Sequence, residues 1–280
     1  MTSRDHLRRM LFIWLVSAVV LTPLVVFVFA PIVPPGQGTV QSSGQVLDNT
    51  MLFGLSAPVA LFVLVYFGYA LIAFRERDLS STLEGAPIRG HAGIQTTWVA
   101  ITTVIVLFLA VYASYRMLAD GVGAGQGPNP IAAPSNPASG PPLQIQVIGQ
   151  QWAFTYRFPG YGGVETPHLE LPANRLIEFH VTSVDVIHSF WAYQLGVKAD
   201  ANPGVDNIAY VETRKPLSFD IHCVELCGVW HGYMYDTGKV VSGSDFASWI
   251  AAQQRTFAPA TKLLDPYSKT YFPDPQRRGG

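Results

Sequence analysis

Long apolar runs dominate the first 118 residues, and an alternating, more polar pattern follows them. The runs cover about residues 10–30, 51–74 and 96–116. Each approaches the ~20 residues an α-helix needs to cross a hydrocarbon layer, where its backbone N–H and C=O groups must pair within the segment. Arginines orient the spans. Arg4, Arg8 and Arg9 precede the first, Arg75, Arg77 and Arg89 lie between the second and third, and residues 31–50 hold no Lys or Arg. Cationic loops stay on the cytoplasmic side. The pattern predicts an inside N-terminus, three crossings and an outside C-terminal part, with Arg116 at the outer end of the third span as a mild exception. A cleaved signal peptide also begins with a basic stretch and an apolar core, and cleavage would leave a two-helix hairpin. The length of the first run and the poor cleavage site at residues 27–31 favour a retained helix.

Residues 119–142 are rich in Gly, Pro, Ala, Ser and Asn and read as a flexible linker. Beyond them, residues 143–149 alternate apolar and polar as a half-buried strand does. Residues 176–182, 217–223 and 238–242 repeat the strand signal, and short strands divided by Gly and Pro predict a β-sandwich or barrel over 143–243. Residues 244–280 predict a helix capped by Ser244, then a tail without periodicity.

Only 13% of the 280 residues are charged, against roughly 25% in an average soluble protein. The net charge of −1 excludes a strongly basic nucleic-acid binder. Residues 143–242 hold ten acidic and six basic side chains, a net of −4, which suits encounter with a basic partner.

Chemistry concentrates in one stretch. Residues 223–234 read C-V-E-L-C-G-V-W-H-G-Y-M and contain both cysteines of the chain. Cys223, Cys227, His231 and Met234 offer two thiols, an imidazole and a thioether, the soft set that selects copper. Structural zinc has no use for the thioether, and a plain disulfide loop leaves His231 and Met234 unexplained.

This stretch resembles the copper loop of the cytochrome c oxidase subunit II family. The run D-V-I-H-S-F-W at residues 185–191 is similar to the segment that supplies the family's first histidine. The resemblance implies two or three transmembrane helices followed by a cupredoxin-like Greek-key β-barrel. It implies a dinuclear copper centre, CuA: Cys223 and Cys227 bridging two ions, His188 and His231 each capping one, and Met234 and the Glu225 carbonyl completing the shells. Electrons would come from cytochrome c and pass to the heme-copper catalytic subunit I, which reduces oxygen. The chain would be a multi-pass subunit of a proton-translocating enzyme in the cell membrane, with the copper domain outside. The Glu225 side chain would share a magnesium or manganese ion with subunit I. Trp152, in G-Q-Q-W-A-F-T-Y at 149–156, matches the tryptophan where electrons enter, and Phe154 and Tyr156 read as core aromatics. Asp185 and Asp200 fall where docking acids stand in the family. A copper-bearing small subunit of a nitric oxide reductase, or a membrane-anchored copper-binding protein, fits the same motif. A quinol oxidase subunit lacks these ligands, and no C-x-x-C-H haem motif is present.

Some positions depart from the family pattern. Arg157 stands where many members carry an acid, which weakens an acidic docking patch. Gln95 replaces a glutamate that marks a proton path into subunit I, and an amide cannot titrate; His91 is another candidate start. His222 replaces a glutamine before the first cysteine and reads as a neighbour of the site. His168 and His180 have no partner motif and read as structural.

Overall fold

The structure is a computed structural model that describes residues 2–33, 37–75, 90–121, 123–134 and 140–257. Arg77, Arg89, linker residues 122 and 135–139 and the tail from 258 onward lie outside the described residues. The chain divides into a helical unit, residues 1–33 with 48–115, and a β unit, residues 34–47 with 116–280.

The apolar runs of the sequence form helices longer than their hydrophobic cores, because capped polar turns extend them. Helix α1 covers Ser3–Leu24 and continues through a wider π-type turn, Val25–Phe29, and a 3-10 turn, Ala30–Ile32. Its start is a capping box: Thr2 Oγ1 accepts from the Asp5 N–H while the Asp5 carboxylate accepts from the Thr2 N–H. Helix α2 covers Val40–Ala73 and helix α3 Ala92–Asp120. Within the helical unit, Trp14 Nε1 donates to the Pro58 carbonyl at 2.9 Å and Tyr112 to Asp48 at 3.2 Å. His91 caps α3, its Nδ1 accepting from the Ile94 N–H at 3.2 Å, and Gln95 lies in the first turn.

The β unit is a sandwich of two five-stranded sheets. One has the order β3 (Val164–Thr166), β2 (Ala153–Phe158), β1 (Leu143–Gln150), β5 (Leu176–Ser183) and β8 (Asn207–Glu212). The other has the order β4 (Leu169–Pro172), β10 (Tyr235–Val241), β9 (Leu217–Cys223), β6 (His188–Ala192) and β7 (Val197–Ala201). Alternation places Ile145, Val147, Ile177, Phe179 and Val181 in the core beside Phe154, Phe158, Phe190 and Phe219. The expectation of a half-buried strand at 143–149 fails, since β1 is buried there at every position but Gln144, and the eight residues of β5 are all buried. β5 is an interior strand, between β1 and β8, and polar side chains on its second face are buried with partners of their own. There His180, 1% exposed, lies 2.9 Å from both Glu178 and Asp206.

The described linker residues are not a loose tether. Residues 123–127 are laced to the edge strands of both sheets. Gly125 N–H donates to the Lys198 carbonyl and Lys198 N–H to the Gly123 carbonyl; Gln126 N–H donates to the Ile208 carbonyl and Ile208 N–H to the Gly127 carbonyl. The strap thereby joins β7 to β8, pairing edge groups that a sandwich otherwise leaves open. Composition missed this because backbone pairing depends on the neighbouring strands and not on the linker's side chains. The residues before and at the start of α2 pack on the same unit: Thr39 Oγ1 donates to the Leu195 carbonyl at 2.7 Å, and Glu212 N–H to Gln41 Oε1 at 2.8 Å.

Two further expectations change. The last helix, α4 (Gly243–Thr256), is capped by Ser242 and not by Ser244, since Ser242 Oγ accepts from the Asp245 N–H at 3.1 Å. Arg157 is no surface residue: it is 3% exposed on β2, opposite Gln146 of β1.

Candidate metal centre

Strand pairing assembles the site from segments 35 residues apart. β6 pairs with β9 so that Phe190 stands opposite Cys223. This brings His188, the first residue of β6, beside the cysteine that ends β9. The chain then loops through residues 224–230 and a 3-10 turn, His231–Tyr233, and returns as β10. Two backbone bonds clamp the loop: Val224 N–H to the Ser189 carbonyl, and Cys223 N–H to the Met234 carbonyl, both 3.0 Å.

The donors form two sets around a thiol pair. Cys223 Sγ and Cys227 Sγ are 3.7 Å apart and unbonded. Around Cys223 stand His188 Nδ1 at 3.8 Å and the Glu225 carbonyl at 3.3 Å. Around Cys227 stand His231 Nδ1 at 3.5 Å and Met234 Sδ at 3.8 Å. His188, Cys223, Cys227 and Met234 are buried, and His231 is half-buried. His188, Cys223 and Cys227 can each offer a ligand atom within 4.8 Å of the others. Soft donors buried together at this spacing, the Met234 thioether among them, fit copper, since structural zinc makes no use of a thioether.

Electrostatics favours thiolate formation at one sulfur. Burial pushes the Cys223 thiol up, but hydrogen bonding with His188 and backbone groups outweighs it and draws the thiol down to about 6. Burial, and then the neighbouring Cys223, push Cys227 up to about 12. A cation between the sulfurs would relieve that repulsion.

Residues outside the motif orient the donors. Asp185 Oδ1 pairs with His188 Nε2 at 2.9 Å, leaving Nδ1 toward the sulfur. The other Asp185 oxygen accepts from the Gln151 N–H at 2.7 Å. Burial raises the Asp185 carboxyl, but these bonds and one from the Val186 N–H hold it below the usual range. Asp200 accepts from Ser189 Oγ at 2.7 Å and lies 3.3 Å from Lys198 Nζ.

Trp152 lies directly on the loop. Its Nε1 donates to the Cys227 carbonyl at 3.2 Å, and Gln151 Nε2 donates to the same oxygen at 2.8 Å. Gly228, with φ of 121°, permits this contact: a Cβ there would stand 3.3 Å from the indole ring and would force a disfavoured backbone. At Gly149 a Cβ would come within 3.0 Å of the His188 ring. The sequence reading missed Gln151, Gly149 and Gly228. Their flanking of Trp152 and of the second cysteine was the available signal, but neither spacing nor residue type says that they touch the loop.

The Glu225 side chain is exposed. Around it the loop presents Leu226, Val229, Trp230 and Tyr233, between 52% and 85% exposed. His222 is half-buried against Tyr193 and Tyr235 and does not reach the sulfurs' immediate donor set. His168 is exposed.

Residues 165–241 match the family of the cytochrome c oxidase subunit II periplasmic domain. Cytochrome c oxidase subunit 2 of Synechocystis sp. is 29% identical over 245 residues, covering 75% of this chain and 73% of the relative. The Thermostichus vulcanus protein of the same name is 28% identical over 76% of this chain and 77% of its own length. Among solved structures, the periplasmic domain of subunit II of cytochrome oxidase from Bradyrhizobium japonicum is 33% identical. That match covers 41% of this chain and 95% of that domain, with a TM-score of 0.40.

Proposed function

Because this chain belongs to the cytochrome c oxidase subunit II family, we propose that it receives electrons from cytochrome c at a dinuclear copper centre and passes them to the oxidase's catalytic subunit. One observation carries the reading: two thiols 3.7 Å apart, each with its own histidine nitrogen and a further soft or carbonyl donor within 3.8 Å. Cys223, Cys227, His188, His231, Met234 and the Glu225 carbonyl would hold the two ions. Bound there, the copper pair would supply a one-electron carrier.

The protein's own groups define the rest of the path. Trp152 joins the half-exposed indole to the Cys227 carbonyl by one hydrogen bond and is the proposed point of electron entry from the donor. Asp185 and Asp200 are the proposed docking acids; Asp200 has the more exposed side chain, 48% against 32%. Asp185 additionally fixes the His188 ring. The exposed apolar loop tip, Leu226 to Tyr233, suits contact with the catalytic subunit. Glu225 at that tip could reach a magnesium or manganese ion shared across the interface. Proton translocation would belong to the whole complex, and the family's proton route would have to begin elsewhere than the Gln95 amide. The three candidate spans would anchor the chain, and the arginine pattern supports a cell-membrane orientation with the copper domain on the outer face.

The test is electron paramagnetic resonance on the purified full chain loaded with copper. A mixed-valence pair gives seven lines, and Cys227→Ser should remove that pattern entirely. A four-line, single-copper spectrum from the unmodified chain would refute the dinuclear reading.

A further inference from the structure

Beneath the metal loop, a polar contact crosses a core that is otherwise apolar. Tyr156 of β2 is fully buried, and its hydroxyl donates to Asp236 Oδ2 of β10 at 3.2 Å. The two residues belong to different sheets. Along β10 the exposed positions are Tyr235, Thr237 and Lys239, so Asp236 shares the inward face with Gly238 and Val240. Asp236 is half-buried, so its carboxyl has lost part of its water and gains from a partner, where a hydrophobic residue would need none. The other Asp236 oxygen accepts from the Thr237 N–H at 2.7 Å.

The contact lies where it can act on the metal loop. Asp236 is two residues after Met234, at the point where the loop becomes strand. The Tyr156 ring packs on Phe190 with centroids 6.5 Å apart, and Phe190 is the β6 residue opposite Cys223. One side chain thus leans on the strand pair that carries His188 and Cys223 and grips the strand that carries Met234. Methionine has three rotatable bonds and adapts to the walls around it, so the place of its sulfur depends on how the backbone behind it is held. Pairing with β9 fixes β10 sideways, Tyr235 opposite His222 and Asp236 opposite Ile221. The Tyr156 bond fixes its depth against the opposite sheet.

We propose that Tyr156 and Asp236 are positioning residues: their cross-core hydrogen bond sets the distance of the Met234 thioether from Cys227 and so tunes the reduction potential of the copper pair. The inference rests on Met234 being a copper ligand, as read above. The thioether of a copper–thiolate site is a recognised control on potential. A looser thioether donates less to the oxidised pair, so loss of the tie should raise the potential.

The experiment is redox titration with paramagnetic resonance on the copper-loaded full chain. Tyr156→Phe and Asp236→Ala should each raise the midpoint potential and alter the copper hyperfine splitting, with the seven-line pattern kept. Asp236→Asn retains an acceptor for the tyrosine hydroxyl and should remain near the unmodified value. With Met234→Leu already present, Tyr156→Phe should add no further shift. The proposal is overturned if Tyr156→Phe and Asp236→Ala lower thermal stability while leaving potential and splitting unchanged. It is equally overturned if Asp236→Asn shifts as far as Asp236→Ala, since the carboxylate charge and not the bond would then be the cause. If Tyr156→Phe does not fold, the Asp236→Ala and Asp236→Asn pair decides by the same criteria. An unmodified chain without seven lines refutes the copper-pair reading itself, a separate outcome from any of these.

Discussion

The helical unit and the β domain use their apolar side chains in opposite ways. In α1 and α3 no described residue is buried, and Val104, Val111 and Phe27 are between 67% and 77% exposed. In the sandwich, Tyr156 and Phe179 are fully buried against Phe190, and Phe158 is fully buried against Phe246 and Trp249. The helices satisfy their own backbone hydrogen bonds, so lipid or partner subunits can supply the apolar contacts. A strand cannot do this. It must find partners in the same fold, and its side chains must then fill a shared interior. The consequence is that an apolar contact within the β domain is irreplaceable, while one on a span can be exchanged for lipid.

Substitution tests this contrast most strongly in the core. Phe190→Ala, which removes the ring packed on Phe154, Tyr156 and Phe179, should cost the domain about 3–5 kcal/mol in denaturant unfolding of the purified chain. Val104→Ala on α3 should change stability by no more than ~0.5 kcal/mol. Equal losses at the two sites would break the comparison.

The strap gives an intermediate effect. A soluble piece beginning at residue 143 loses the four backbone bonds that lace residues 123–127 to Lys198 and Ile208. Relative to a piece beginning at residue 123, it should be less stable by about 2–4 kcal/mol, taking ~1 kcal/mol per net hydrogen bond. Matching melting curves would show that the linker behaves as its composition suggests, as a tether.

The smallest effect is a pH dependence. Burial alone would lower the His180 pKa, but the Asp206 and Glu178 carboxylates outweigh it and hold the imidazole above its ordinary value. A raised folded-state value stabilises the fold below the ordinary imidazole range, and that contribution is lost as pH rises through the folded value. Unfolding free energy should therefore decline from about pH 6.5 upward, and His180→Gln should flatten the decline. An unchanged slope in the variant would place the pH dependence elsewhere.

How much was readable beforehand differs between the same two regions. Each span is announced by its own residues, because a helix in lipid needs only apolar composition and length. The copper-type loop is nearly as legible: Cys223, Cys227, His231 and Met234 lie within twelve positions. His188 needed a resemblance to be included, since 35 residues separate it from Cys223 and only the pairing of β6 with β9 joins them. The resemblance set Arg157 against an acidic docking patch although its side chain is buried, and residue type put the helix cap at Ser244 instead of Ser242. Both depend on neighbours, a covered sheet face in one case and the reach of Ser242 to the Asp245 N–H in the other.

By itself, then, the amino-acid order determined the three apolar spans, the strand-rich C-terminal part and the identities of the soft donors, because hydrophobic run length, alternation and donor chemistry are local properties. Only the tertiary structure decided that the linker straps the sandwich, that Asp185 turns the His188 ring, that Gln151 and Trp152 hold the Cys227 carbonyl, and that Tyr156 reaches Asp236 across the core. Asp185 and His188 are only three residues apart, yet which ring nitrogen the carboxylate takes depends on the folded turn; the other contacts join residues distant in sequence and exist only once the strands around them are in place.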